Sequence, residues 1–309
     1  MSAEELKLRQ IAFEQSAGRK KISGRLIGFL FVTIVLMFCF GSSFYKLLQL
    51  ACVDELYSEI PLIPLVSLYL IWLRRENLPL LLLPSFRTAI LFFGAGLAAV
   101  TTYWYVSKTG RDFLPLNICA FLLFFTGICF LFFGSAFMRA IAFPMTLLVF
   151  IIPFPEFLRQ GIETFLQHGS AVCAGIFFQL SGQPVFHDGL NFQFPNCVLQ
   201  VAPECSGIHS TLVLIITGLV GGWLFLRSPW KRTIVALVVI PLALIRNGFR
   251  IFVIGRLCTA YGPQMLDSAI HRHGGPLFFA LSLIPLFLLL LFLRKTERTH
   301  GEPPTRKTL

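Results

Sequence analysis

The chain has 309 residues, of which 56% are hydrophobic and 34 are Phe, and its formal net charge is +11. Soluble domains run nearer about 45 to 50% apolar, so the composition excludes an ordinary soluble domain and points to a polytopic membrane protein. The positive residues gather at the ends of apolar runs and in both termini, which is a topology signal and not a nucleic-acid footprint. Membrane lipids are therefore expected partners and nucleic acid is not.

Residues 1–25 are polar and carry Lys7, Arg9, Arg19, Lys20, Lys21 and Arg25, a density that predicts a cytoplasmic N-terminal segment. No small-residue cleavage site follows the first apolar run, so Leu26 to Phe40 is expected to stay as a span. Four further runs follow: Pro61 to Leu73, Thr88 to Val106, Phe113 to Phe133 and Ala140 to Ile152. The last ends at Pro153-Phe154-Pro155, whose prolines break a helix. At the other end, Arg294, Lys295, Arg298, Arg306 and Lys307 predict a cytoplasmic basic tail over 295–309. Counting back from that tail gives spans at Pro276 to Leu293, Thr233 to about Phe252, and Ile208 to Phe225. Both counts agree if 155–207 stays outside as an extracytoplasmic cap, which makes about eight transmembrane helices within 26–294.

Phe157 to Leu180 is long enough to cross, yet it holds Arg159, Gln160, Glu163, Gln167 and His168. Its apolar residues fall at helical spacing, so an amphipathic helix at the outer leaflet is expected there. Beyond it, Gly182-Gln183-Pro184-Val185 and His187-Asp188-Gly189 read as turns, and Leu190 to Phe194 with Val198 to Val201 as a small hairpin. The fold class is thus an all-α polytopic integral membrane protein with an interfacial helix and a small cap.

Cys205 stands out among the eight cysteines. It lies among small and polar residues, follows Pro203, and precedes an apolar run, so it sits at a helix start where unpaired N–H groups favour a thiolate. Others, such as Cys39, Cys119 and Cys129, read as small apolar fillers. No CxxC pair occurs, and neither a disulfide framework nor a zinc site is indicated, although Cys197 and Cys258 lie on the outer face where a pairing stays open. Two more signals converge on that face. Arg246, Asn247 and Arg250 lie deep in an apolar run, where charge is expensive unless it is paired or faces a cavity. Arg246 and Arg250 share a helix face, and Asn247 is placed to hold one of them by hydrogen bonds. His271 and His273 stand just before the last span; either suits a general acid or base, and an HxH without a third ligand is a weak metal site.

These residues together resemble the exosortase/archaeosortase family, integral membrane cysteine transpeptidases that process C-terminal sorting tails of the PEP-CTERM kind. The resemblance rests on Gly182-Gln183-Pro184-Val185 with Gly189, Val201-Ala202 before Cys205-Ser206-Gly207, Asn247-Gly248-Phe249-Arg250-Ile251, and His271 with Gly275. It implies Cys205 as nucleophile, Arg250 as stabiliser of thiolate or oxyanion and His271 as general acid/base, preferring Arg250 over Arg246 and His271 over His273. Ser206, Gly207, Asn247 and Arg246 then become supporting residues. The implied substrates are exported proteins with a motif, a transmembrane helix and a basic end, and the implied second partner is an acceptor such as a polysaccharide or lipid, or water. No cofactor or metal is implied. The chain departs from the family pattern at Ile208-His209-Ser210, which makes His209 a rival base. Glu204 beside the nucleophile would raise the thiol pKa if it pointed inward, so it is expected to turn away or to pair with Arg246. Rival readings are a transporter or channel for an anionic solute, a thioester-forming membrane acyltransferase, and a noncatalytic scaffold.

Overall fold

A computed structural model describes residues 24–79, 83–108, 113–194, 198–262, 264 and 275–301, with the backbone alone at 204 and 298–301. The chain divides into two compact units, Met1–Pro155 and Glu156–Leu309. Among the described residues, six helices are long and apolar enough to cross a membrane, or up to eight if two helix pairs joined through short breaks each count as one span. This agrees with the all-α polytopic reading and brackets its count of eight.

The first unit contains α1 (Gly24–Cys39), α2 (Gly41–Val53), α3 (Leu62–Leu73), α4 (Phe86–Ser107), α5 (Leu114–Ala140) and α6 (Ala142–Leu147). Between α1 and α2 the axis turns by 70°. Phe29, Phe125 and Phe133 stack beside a buried core of Cys129, Met138 and Ile141, which uses the Phe-rich composition as packing. Helix α5 is interrupted at Gly134, which adopts φ 80° and comes so close to the Leu83 carbonyl that no Cβ would fit. The expected span ending at Phe133 therefore stops where the α-helical geometry does. Polar groups inside this unit find partners, since the Ser67 hydroxyl donates to the Pro144 carbonyl at 2.7 Å and the Asn117 amide donates to Ser43.

The second unit carries the cysteine of interest. It comprises α7 (Glu156–Leu180), strands β1 (Phe186–Asp188), β2 (Asn191–Gln193) and β3 (Val198–Gln200), then α8 (Ile208–Phe225), α9 (Pro229–Tyr261) and α10 (Gly275–Gly301). Helices α8, α9 and α10 pack around Leu214, Val235, Val239, Leu286 and Leu290. Helix α9 runs nine residues past the expected end near Phe252, so Arg246 and Arg250 lie in mid-helix and not near its end. Helix α10 likewise continues through 295–301, so the first residues of the expected basic tail are helical.

Helix α7 forms where the amphipathic spacing predicts it, and its buried face is Leu166, Gln167, Ser170, Ala171, Ala174 and Phe178. Small residues on that face let α9 come close: a Cβ on Gly248 would fall 2.5 Å from Cys173 Cβ and 3.0 Å from Ala174 N. The polar residues near the start of α7 are paired with one another, Arg159 bridging Glu156 at 2.7 Å and Glu163 at 2.8 Å. The three strands form one antiparallel sheet in the order β1-β2-β3, with Phe192 opposite both His187 and Leu199. The expected hairpin is thus its β2-β3 half. The sheet closes over α7 and α9 through Phe178, Phe192, Phe194, Leu199, Val201, Ile251 and Ile254, an apolar core against which Cys205 packs.

Candidate active site

The backbone delivers Cys205 in three steps. After β3, Val201 N still pairs with Leu190 O at 2.9 Å, so the chain leaves the sheet at a fixed point. Pro203 then opens a single 3₁₀ turn, Pro203–Cys205, as its preset φ favours. Ser206 follows in the α region, and Gly207, at φ 73° and ψ 22°, reverses the chain into the first turn of α8. A residue with a side chain resists that left-handed conformation. The pair Ser206-Gly207 is therefore the hinge that places Cys205 immediately before a helix N-terminus, as the sequence predicts.

Neighbouring helices clamp this hinge. The Asn247 side-chain amide donates to Cys205 O at 2.8 Å, Ser206 O at 3.1 Å and Ser170 Oγ at 3.0 Å. From α7, Gln167 Nε2 donates to Val201 O at 3.1 Å. Asn247, Ser170 and Ser206 are buried, so these bonds form away from competing water. Both N–H groups of Asn247 are used on Ser170 and on the hinge carbonyls, a role beyond the arginine contact expected of it, for which its Oδ1 would be the acceptor. Gln167 and Ser170 were not singled out by sequence reasoning. Their signal was available, because Gln167, Ser170, Ala174 and Phe178 lie three to four residues apart on one helical face.

A shallow open cleft brings the pieces together. Cys205 lines it beside Asn247 and Arg250, with Leu199, Gln200 and Val201 contributed by the strand side and Ile251 and Ile254 by α9. Asn247 and Arg250 are three apart on α9 and so share a face. Arg246 is buried next to the hinge: a Cβ on Gly207 would meet its Nη2 at 3.0 Å, and that Nη2 makes no hydrogen bond among the described residues. The sequence-predicted pair of arginines is thus divided, Arg250 lining the cleft and Arg246 lying behind the hinge. His209 is half-buried in the first turn of α8. His271, His273 and the Glu204 side chain lie outside the described residues. The motif Gly182-Gln183 ties the end of α7 to α9, as Gln183 Nε2 donates to Thr259 Oγ1 at 2.8 Å. Cys258 is disulfide-bonded, which answers the pairing left open for it by the sequence, and Cys197 lies outside the described residues.

The described site thus brings a cysteine just ahead of a helix N-terminus into one cleft with a guanidinium, two features that favour a thiolate. Comparison with known proteins gives one family match: the model of transmembrane exosortases covers residues 49–288, well over half the chain. No curated protein and no solved structure matches.

Proposed function

Because the chain belongs to the transmembrane exosortase family, we propose that it cleaves the C-terminal sorting tails of exported proteins through a thioester on Cys205 and transfers the product to an acceptor. The observation that carries this reading is the single cleft shared by Cys205 and Arg250, with the Cys205 carbonyl latched by Asn247 at 2.8 Å.

The reaction proceeds in two halves. In the first, His271 takes the thiol proton, the Cys205 sulfur attacks the scissile carbonyl, and the C–N bond breaks as His271 returns the proton to the leaving amine. Arg250 stabilises the thiolate and then the oxyanion, and a low local dielectric strengthens both interactions. In the second, an acceptor hydroxyl or amine, or water, gives its proton to His271 and attacks the thioester, the C–S bond breaks, and the thiolate is regenerated. His209 is the alternative base. The substrate in this reading is a PEP-CTERM-like tail, whose scissile carbonyl meets Cys205 at the cleft.

In this reading the protein sits in the cytoplasmic (inner) membrane, with both termini inside and the cleft on the extracytoplasmic face, an orientation that the placement of positive residues supports. A disulfide at Cys258 suits an oxidising compartment and agrees with that orientation. The test is processing of a tail-bearing reporter in cells expressing wild type or Cys205→Ser, with an electrophilic trap for an adduct at position 205. Tail loss that needs Cys205, together with a trapped adduct, supports the enzyme. Equal tail loss in both strains removes the nucleophile and brings the transporter and scaffold readings forward.

A further inference from the structure

The cleft is bounded on one side by a strand whose outer edge pairs with nothing among the described residues. The hydrogen-bond parity of the sheet identifies which groups face outward. Val201 N donates to Leu190 O at 2.9 Å, and the register places Gln200 opposite Asn191, Leu199 opposite Phe192 and Val198 opposite Gln193. In an antiparallel ladder, bonded pairs alternate with non-bonded ones, so Val201 and Leu199 turn their N–H and C=O groups toward β2, while Val198 and Gln200 turn theirs away. Gln200 O accepts from Ala202 N at 3.0 Å. The outward-facing edge therefore offers the N–H groups of Val198 and Gln200 and the carbonyl of Val198, spaced two residues apart.

Side chains along the strand separate in the same way. Leu199 and Val201 are buried in the core, whereas Val198 and Gln200 are exposed. The strand continues within five residues from Gln200 to Cys205, and both residues line the one cleft. The opposite edge of the sheet, along β1, contributes no residue to that cleft. An exposed row of backbone donors and acceptors is a template for another strand.

We propose that the substrate segment at the cut binds in extended form as a fourth strand on the outer edge of β3, the edge that leads to Cys205. Backbone pairing then provides affinity that tolerates variation in sequence, and it sets which carbonyl reaches Cys205. The inference rests on the reading of the protein as a peptide-cleaving enzyme and specifies how that peptide is held.

The experiment measures binding of a fluorescein-labelled peptide, covering the sorting-tail motif, to the full-length Cys205→Ser protein in nanodiscs. Each peptide amide is methylated in turn. A paired edge predicts alternation: methylation of amides facing β3 weakens binding about tenfold, as expected for a lost hydrogen bond and a clash, and methylation between them has little effect. Gln200→Pro removes one outward N–H without touching a bond to β2 and should weaken binding of the parent peptide to a similar extent. A flat methylation scan, no measurable binding of the parent peptide, or unchanged binding to Gln200→Pro would each overturn the proposal. The methylation scan needs no change in the sheet, so it decides the matter even if Gln200→Pro folds poorly. Processing of the parent peptide by the wild-type protein, measured alongside, reports on the enzymatic reading separately: alternation without processing keeps the strand site and removes the enzyme.

Discussion

Asn247 Nδ2 lies 2.8 Å from the carbonyl oxygen of Cys205, so the helix that carries Arg250 also holds the backbone that carries the thiol. Thiol and guanidinium are thereby positioned by one rigid element, which is how supporting residues fix a constellation to within a fraction of an ångström. Replacing Asn247 by Ala leaves the Cys205 and Ser206 carbonyls without this donor, at about 1 to 3 kcal/mol for each group that stays buried. Asn247→Asp is the harsher change, since it sets an acceptor against two carbonyls. Expected results are a lower midpoint of thermal unfolding for both variants and at least about a tenfold drop in Cys205-dependent processing, larger for Asp. An Asp variant with wild-type stability and processing would show that the latch is dispensable.

Gly207 tests the hinge from the other side. At φ 73° it occupies a conformation that disfavours any Cβ, and a Cβ there would meet Arg246 Nη2 and the Asn247 side chain at 3.0 Å. Gly207→Ala thus adds backbone strain of about 1 to 2 kcal/mol and presses on the residue that latches the carbonyls. Slower alkylation of Cys205 and a loss of processing are expected together. Normal alkylation kinetics in Gly207→Ala would mean that the loop tolerates the change.

Much of this arrangement was legible in the sequence, because hydropathy runs and charge positions are local signals. Cys205 at a helix start follows from Pro203 and the apolar run after it, and the existence of helix α7 follows from its apolar period. What each polar side chain binds was not legible. Asn247 is adjacent to Arg246 in sequence, yet it reaches Ser170, 77 residues away, and Cys205, 42 residues away. Such partners are set by the approach of α7 to α9, a property of Gly248 and the small residues opposite it that no local pattern encodes. Likewise, α9 continues past Phe252 with Cys258 and Gly255 buried, Gly255 against Phe178 and Phe194 of the sheet core, a tertiary contact that extends the helix beyond the length of one span.

The α7–α9 contact yields a prediction of opposite signs. In Gly248→Ala the new methyl would lie 2.5 Å from Cys173 Cβ and 3.0 Å from both Ser170 O and Ala174 N, so helix backbone has to move. Overpacking of this kind destabilises by about 1 to 3 kcal/mol and would shift Asn247 and Arg250 with it. Gly161→Ala on the same α7 meets nothing within 4 Å and should gain up to about 1 kcal/mol of helix propensity. Thermal unfolding of the two variants in detergent is expected to move in opposite directions, and a neutral Gly248→Ala would contradict the tight crossing.

Arg246 and Arg250 invite the sharpest comparison. Arg246 is only 7% exposed and its Nη2 has no hydrogen-bond partner among the described residues, so that nitrogen carries a desolvation penalty in the folded state. Arg250 lines the cleft with Cys205. Exchanging a buried charge for an apolar side chain of similar length is often neutral or stabilising, by about 1 to 4 kcal/mol. Arg246→Met should therefore unfold at an equal or higher temperature than wild type and keep most of its processing. Arg250→Met should lose about 10²- to 10³-fold, the scale seen when a group that stabilises developing charge is removed. If Arg246→Met instead abolished processing while unfolding normally, the buried charge would be the one that serves the thiolate, acting through the hinge at Gly207, and Arg250 would be left to contact the substrate.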